Sequence, residues 1–259
     1  MDLELTSVRK AYGQVVALDG VTVRAGANET VAVVGPSGCG KSTLLELVCG
    51  LTTPDAGTVS SAPATLMPQR DGLLPWLSAL DNAGLALRAA GASKRDARAA
   101  AHEHFAAFGL EGFERARPAE LSGGMRQRVA FLRTLLAGRP VLCLDEPFGA
   151  LDALTRGQMQ RWLAAALVRE PRTVLLVTHD VEEAALLADR IVLLSPRPGR
   201  VVETIEVELP RPRGRTDLAV VELRERALRA LGEPAGPAES HEAALEPREI
   251  AVEPRGGAR

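Results

Sequence analysis

Apolar residues occur in two arrangements in this chain: they alternate with polar residues near the start and form continuous runs further on. Leu3 and Leu5, and later Val21 and Val23, are separated by polar positions, which predicts short antiparallel strands within the first 30 residues. The run at residues 31–34 contains only valine and alanine, as is typical of a strand buried on both faces. The two arrangements predict an antiparallel segment followed by a buried strand.

Later segments extend this pattern. Apolar runs at residues 141–144 and 173–177 predict further buried strands, and turn residues separate two final strands expected at 189–195 and 201–209. Helices are predicted at residues 42–49, 125–137 and 155–168, and a helical stretch is predicted at 77–107 with a break at 91–93. This order of strands and helices is typical of an α/β fold.

A glycine-rich segment joins the strand at 31–34 to the helix at 42–49, and it matches the phosphate-binding pattern G-x-x-x-x-G-K-[ST]. The glycines allow backbone N–H groups to point inward, and Lys41 supplies a charge for the β and γ phosphates. Ser42 offers a hydroxyl to Mg²⁺. The predicted nucleotide-binding residues here are Gly35, Pro36, Ser37, Gly38, Cys39, Gly40, Lys41, Ser42 and Thr43.

Cys39 lies in this loop at the start of a helix, a position that favours the thiolate. We therefore expect alkylation of Cys39 to block activity, and bound nucleotide to protect the thiol.

Two carboxylates, Asp145 and Glu146, follow the buried strand at 141–144. Adjacent carboxylates at the end of such a strand are costly unless their charge is used. We expect Asp145 to hold Mg²⁺, and Glu146 to orient and deprotonate the attacking water as a catalytic base.

A second anion site is predicted at the start of the helix at 125–137. Ser122 caps this helix, and Gly123 and Gly124 leave backbone N–H groups exposed at the positive end of its dipole.

Composition narrows the possible functions. The net charge of −2 shows no basic excess of the kind that nucleic-acid binding needs. Three cysteines without a CxxC pair suit a reducing compartment. The first residues lack the pattern of a signal peptide, and no apolar run is long enough to cross a bilayer, so we expect a soluble protein that docks to any membrane partner.

The phosphate loop together with Leu-Ser-Gly-Gly-Met at 121–125 resembles the nucleotide-binding domain of ABC transporters over residues 1–210. The resemblance implies a P-loop NTPase core sheet with an N-terminal antiparallel β subdomain and an inserted α-helical subdomain at about 77–137. The domain is expected to end at residue 232. Residues 233–259, rich in Glu, Pro, Arg and Gly, are expected to form a disordered tail.

Further site residues follow from this resemblance. Tyr12 resembles the aromatic residue that stacks on adenine, and Gln69 the glutamine that contacts Mg²⁺ and reports nucleotide state. Asp152 lies in a segment that resembles the D-loop at the dimer interface, and His179 resembles the catalytic switch histidine at the γ-phosphate. The resemblance also implies an ATPase that acts as a homodimer, with each ATP held between Lys41 of one copy and Ser122 of the other.

The segments at 71–77 and 148–156 resemble the nitrate, sulfonate, taurine and pyrimidine-precursor importers. Expected partners are integral-membrane permease subunits and an extracytoplasmic solute-binding protein, with this chain peripheral at the cytoplasmic face of the membrane. Trp76 has two interpretations that stay open: an anchor for the permease, or a core residue of the helical subdomain.

The alternative class is an ABC ATPase of DNA repair or translation. Repair ATPases insert coiled coils or zinc modules between the two motifs, and translation factors carry two cassettes. This chain has no heptads or CxxC in the interval and has one cassette. We therefore expect no nucleic-acid partner.

Overall fold

The structure is a computed structural model that describes residues 2–149, 151–169 and 171–232. The tail expected at 233–259 lies outside the described residues, as does Ala150 of the segment that resembles the D-loop.

The first sheet has three antiparallel strands in the order β2-β1-β4. β1 (Leu3–Tyr12) pairs with β2 (Val15–Ala25), so the predicted antiparallel arrangement is confirmed, but these strands have 10 and 11 residues and are not short. β4 (Ala56–Ser61) pairs with the other edge of β1 and was not predicted. Its small and polar residues form no apolar run that would have indicated a strand.

The second sheet has six strands in the order β5-β6-β7-β3-β8-β9. All neighbouring pairs are parallel except β8 and β9. Five of the six strands match predicted apolar runs or strands, and only β5 was missed. The bounds are β3 Thr30–Val34, β5 Ala64–Met67, β6 Val141–Asp145, β7 Thr173–Thr178, β8 Arg190–Leu194 and β9 Val201–Glu206.

The central strands β3, β6 and β7 are buried along their full length. Successive side chains of a strand point to opposite faces, so each of these strands contributes to two cores. Val31 and Val33 of β3 join the core beneath the antiparallel sheet. Ala32 and Val34 join the core on the opposite face. The uninterrupted apolar runs therefore reflect burial on both faces, as predicted.

Eight α-helices are described, and the predicted helices at 42–49, 125–137 and 155–168 begin and end within about two residues of observed ones, the usual uncertainty of helix ends. The predicted stretch at 77–107 forms three helices because Gly84 interrupts it in addition to the predicted break. α7 and α8 were not predicted. The bounds are α1 Lys41–Val48, α2 Ala79–Ala83, α3 Leu85–Ala89, α4 Lys94–Phe105, α5 Gly123–Leu136, α6 Ala153–Arg169, α7 Val181–Leu187 and α8 Leu218–Ala230.

Helices α2 to α5 lie between β5 and β6 in the chain, and α5 packs on β5. An aromatic cluster joins this helical insertion to the core. Phe131 of α5 contacts Phe148 and Trp162, with ring centroids 6.2 and 5.8 Å apart. The fold is therefore the predicted α/β class, with an antiparallel β subdomain and an inserted helical segment. No helix in the described part of the chain is both long and apolar enough to cross a membrane.

Glu183 of α7 is a carboxyl group inside this core. One of its oxygens accepts a hydrogen bond from the Thr178 hydroxyl at 3.1 Å, and the other has no partner among the described residues. Burial raises the pKa of Glu183 to about 8, and the nearby Asp180 charge adds to this effect while Arg156 opposes it.

We predict that Glu183 makes the folded state less stable as pH rises. Its folded pKa of about 8 exceeds the ordinary value of 4.5, so between these values the folded state binds a proton that the unfolded state does not. Stability should be highest below pH 4.5 with respect to this group and fall up to about pH 8. In urea unfolding at pH 6, 7 and 8, Glu183→Gln should show a smaller decrease of the unfolding free energy with pH than wild type does. Glu208→Gln, at an exposed position, is the control. If the unfolding free energy of Glu183→Gln fell with pH as steeply as that of wild type, a raised pKa of Glu183 would be excluded.

Candidate active site

Three buried strands end at one edge of the core sheet, and each is followed by polar residues. β3 leads into the phosphate loop, β6 into Glu146 and β7 into His179. These strands are neighbours in the order β6-β7-β3 and run parallel, so their carboxyl ends lie side by side. This edge is where ligands bind in open α/β sheets.

A cavity of about 350 Å³ lies at this edge. Ten of the predicted site residues line it: Tyr12, Ser37, Gly38, Gly40, Lys41, Ser42, Thr43, Gln69, Asp145 and Glu146. Gly40 turns the loop into α1 with a φ of 106°, and a Cβ there would lie 2.7 Å from the Leu18 side chain. Only glycine fits this combination of positive φ and close packing.

The Lys41 ammonium group is held at the wall of this cavity. It is 6% exposed and donates to the Gly35 carbonyl at 2.6 Å and the Pro36 carbonyl at 3.0 Å. An ammonium group has three donors, so one N–H remains beyond these two carbonyls. The predicted residues Gly35 and Pro36 thus contribute through Lys41 and do not line the cavity themselves.

Asp145 lies at the end of β6 beside the hydroxyl of Ser42. Burial raises the pKa of Asp145, and the adjacent Glu146 charge adds to this, while the Ser42 hydrogen bond and the Lys41 charge lower it. The result is a partly desolvated carboxylate between a hydroxyl and an ammonium group.

Glu146 lies between two of the other predicted residues. Gln69 Nε2 donates to one of its carboxylate oxygens at 3.0 Å, and His179 Nδ1 lies 3.2 Å from the other. The Glu146 backbone has a φ of 46° and its N–H donates to the Val177 carbonyl. Such a conformation is uncommon outside glycine and is concentrated at functional sites. The turn after β6 therefore directs this carboxylate toward the cavity.

Tyr12 lies at the open end of the cavity, at the end of β1. Its ring is 49% exposed, its hydroxyl donates to Glu46, and the Lys10 ammonium lies 5.5 Å from the ring centroid. About half of the surface of Tyr12 is therefore exposed at the cavity that it lines.

The structure does not favour the thiolate that was expected at Cys39. Its side chain is 1% exposed, belongs to the core beneath the antiparallel sheet and does not line the cavity. Burial raises the pKa of the thiol, and this outweighs the charge of Lys41 and the helix N–H groups that lower it. The thiolate that the helix start was expected to favour is therefore suppressed by desolvation.

Besides Gly35, Pro36 and Cys39, five predicted residues do not line this cavity: Ser122, Gly123, Gly124, Asp152 and His179. His179 lines a small neighbouring cavity together with Glu146. Ser122 caps α5 by accepting a hydrogen bond from the Met125 N–H at 3.2 Å. Asp152 accepts hydrogen bonds from the backbone at the start of α6, and these and the Thr155 side chain lower its pKa. The structure therefore brings the phosphate loop, the acidic pair and Gln69 together and leaves the second anion site elsewhere on the same chain.

Arg197 lines the cavity and was not predicted. It lies in the turn after β8, and its Nε donates to the Gly38 carbonyl at 3.0 Å. The same turn is fixed to β2, because the Gly199 N–H donates to the Ala17 carbonyl. The sequence did contain a signal for Arg197. The residue lies in a proline-flanked turn after β8, and β8 is a neighbour of β3, which leads into the phosphate loop.

Trp76 is 68% exposed, so the interpretation of this residue as part of the subdomain core is wrong. Leu73 is buried instead. Buried Asn82 holds the segment in place through hydrogen bonds to the backbone of Leu74 and Leu77.

Comparison with known proteins gives one consistent family. The ABC transporter family model matches residues 18–149. The chain is 41% identical over 251 residues to the aliphatic sulfonates import ATP-binding protein SsuB 2 of Burkholderia cenocepacia (strain HI2424), which spans 90% of this chain and 92% of that protein. It is 44% identical over 200 residues to the taurine import ATP-binding protein TauB of Yersinia pestis bv. Antiqua (strain Antiqua), spanning 74% and 78%.

A solved structure has the same fold. The dimeric post-hydrolysis state of the ATP-binding cassette MJ0796, bound to ADP and Pi, matches with a TM-score of 0.73 and 29% identity over 80% of this chain and 100% of that chain. The chain therefore belongs to the ABC transporter family and is an ATP-binding subunit that hydrolyses ATP.

Proposed function

We propose that this chain powers the import of a small solute of the sulfonate, taurine, nitrate or pyrimidine-precursor type. Two of the relatives are import proteins for aliphatic sulfonates and for taurine, which favours this class over DNA repair or translation. The observation that carries the enzymatic part is the position of the Glu146 carboxylate between Gln69 and His179, at the wall of the cavity that contains Lys41.

Each side chain at the edge has a proposed role. Lys41 and the N–H groups at the start of α1 bind the β and γ phosphates. Tyr12 stacks on adenine, and His179 contacts the γ-phosphate. Glu146 orients and deprotonates the attacking water, so most of the catalysis is positioning and charge stabilisation.

Mg²⁺ fits the donor set at this edge. Mg²⁺ binds through one or two carboxylates together with phosphate and water, and the structure places the Ser42 hydroxyl against the Asp145 carboxylate. We propose that Ser42, Asp145 and Gln69 hold it. The ion would neutralise phosphate charge there and would offset the desolvation of Asp145.

The position of Ser122 supports a homodimer. This residue and the adjacent glycines are absent from the cavity of their own chain, so a second copy must supply them if they bind the γ-phosphate. A relative in this fold is described as dimeric. We propose that ATP joins two copies, with Asp152 at their interface.

We propose that Trp76 anchors a permease subunit at the cytoplasmic face of the membrane. Trp76 is exposed beside a segment that is tied to α5, since Arg126 pairs with Asp71 at 3.0 Å and Arg133 donates to the Asp71 carbonyl. A contact at Trp76 would thus reach α5, the helix that Ser122 caps. Import also implies an extracytoplasmic solute-binding protein in the complete system.

We predict that Glu146→Gln lowers ATP turnover by about 10² to 10⁴-fold, the usual contribution of a general base. ATP affinity should persist, because the amide keeps the shape of the side chain, and an ATP-bound dimer should accumulate. Steady-state phosphate release and size-exclusion chromatography with ATP measure the two effects. Glu208→Gln, exposed on the surface, is the control. Normal turnover by Glu146→Gln would show that another group is the base.

We predict that Ser122→Arg abolishes hydrolysis without loss of ATP binding to the single chain, because Ser122 lies outside that cavity. Ser93→Arg is a matched control, since Ser93 caps α4 with the same kind of hydrogen bond, to the Asp96 N–H. Nucleotide binding and phosphate release are measured on both variants. Retained hydrolysis by Ser122→Arg would mean that each copy works alone.

We predict that Arg197 is a positioning residue for the phosphate loop. Loss of a hydrogen bond from a charged group in Arg197→Ala should raise the KM for ATP by about tenfold and change kcat much less. Arg197→Lys should restore part of the affinity, because it keeps a donor for the Gly38 carbonyl. Arg200→Ala, in the same turn but paired with Asp19, is the control. Equal KM values for Arg197→Ala and Arg200→Ala would exclude this role.

A further inference from the structure

A second and larger cavity, of about 530 Å³, lies between α6, α7 and the segment at 211–215. None of its lining residues lines the nucleotide cavity. Its volume falls within the range of about 300–1,000 Å³ that is typical of small-molecule sites. Its walls are mostly apolar and include Ala164, Ala165, Val168, Leu186, Leu187 and Pro212.

Positive charge exceeds negative charge around this cavity. Arg211 pairs with Asp189 at 2.8 Å, and Arg215 pairs with Glu182 at 3.0 Å. The two other arginines of the wall, Arg161 and Arg213, have no carboxylate partner among the described residues. Asp189 also attracts Arg213 electrostatically, so one carboxylate is shared by Arg211 and Arg213, and the wall keeps a net positive charge.

Arg213 is held in place without a counterion. It donates to the backbone carbonyls of Leu209, Ala185 and Ala188. Burial lowers the pKa of Arg213, and the Arg211 charge lowers it further, while the Asp189 charge opposes this. A negative charge in the cavity would relieve this repulsion.

Gln160 of α6 has a buried donor that is not used. Its side chain is 4% exposed, and its Oε1 accepts a hydrogen bond from Arg215 at 3.0 Å. Its Nε2 is buried and has no partner in the described part of the chain, although Gln160 lines the cavity. A buried donor without an acceptor is costly, so an oxygen from a ligand or a water molecule that reached Nε2 after a small rotation of the side chain would be stabilising.

We propose that this cavity binds a small organic anion, whose acidic group accepts a hydrogen bond from Gln160 Nε2 and faces Arg161 and Arg213, while its apolar body contacts the alanine and leucine wall. The acidic group is a carboxylate, a sulfonate or a phosphate ester, because each offers oxygens to an amide donor and a charge to guanidinium groups. Because the wall is mostly apolar, we expect inorganic phosphate alone to bind weakly.

Calorimetric titration of the full chain with four probes tests this proposal. Octanoate and octanesulfonate have both an acidic group and an apolar body. 1-Octanol has only the apolar body, and inorganic phosphate has only the charge. We expect saturable binding of the two organic anions at one site per chain. Octanol and phosphate should bind at least about tenfold more weakly, since each lacks one set of contacts. Saturating ATP should not compete, because the two cavities share no residue.

Three variants identify the site. Gln160→Glu keeps an oxygen for Arg215 and replaces the free donor with a repelling carboxylate, so octanoate affinity should fall by at least about tenfold. Arg161→Gln should weaken octanoate and leave octanol unchanged. Ala165→Phe places a ring at an exposed position of the wall, and it should block both anions even if Gln160→Glu fails to fold. Arg95→Gln, whose side chain is 95% exposed on α4, is the matched control and should bind as wild type does.

The proposal is overturned by any of three results. Octanol binding as tightly as octanoate would show that the cavity binds apolar groups without recognising an acidic group. Unchanged octanoate affinity in folded Gln160→Glu and in Ala165→Phe would place the anion elsewhere. The absence of organic-anion binding to wild type at about 10 mM, far weaker than typical ligand affinities, would show that water satisfies Gln160.

Discussion

Burial of β3, β6 and β7 on both faces is the constraint on which the rest of the structure depends. Successive side chains of each strand enter opposite cores, so a shift of one residue would exchange the two buried faces. The observed register pairs Val34 with Thr178 and Asp145 with Val177. The three strands therefore end level with one another, and the polar residues that follow them have only one edge to occupy.

That edge carries features that a structure selected for stability alone would avoid. Asp145 is desolvated enough to raise its pKa, and Glu146 adopts a left-handed backbone conformation that costs about 1–2 kcal/mol outside glycine. Lys41 and the Ser42 hydroxyl offset part of the first cost. Backbone strain and a buried charge at the same strand end are typical of a functional site, where a bound ligand offsets the cost of the buried charge.

The sequence predicted the main strands and the order of the motifs, but it did not predict the directions of individual side chains. The apolar runs predicted the three central strands, and the order of motifs predicted that Lys41 and Glu146 would meet at one edge. β4 was missed because it has no apolar run, and α7 because seven residues are too few to show helical periodicity. The burial of Cys39 and the exposure of Trp76 could not be predicted for a shared reason, since only the path of the backbone decides whether a loop side chain faces the core or the solvent.

Helices α6 and α7 run from the neighbourhood of the nucleotide site to the second cavity. α6 begins beside Asp152 and α7 follows His179, while Gln160 and Leu186, further along these helices, line the second cavity. A ligand there changes the nucleotide site only if it binds two arrangements of α6 and α7 with different affinity. Any such coupling must be reciprocal, so the factor by which the anion changes ATP affinity must equal the factor by which ATP changes anion affinity. Independence of the two affinities would mean that the anion binds every arrangement of α6 and α7 in the nucleotide cycle equally well.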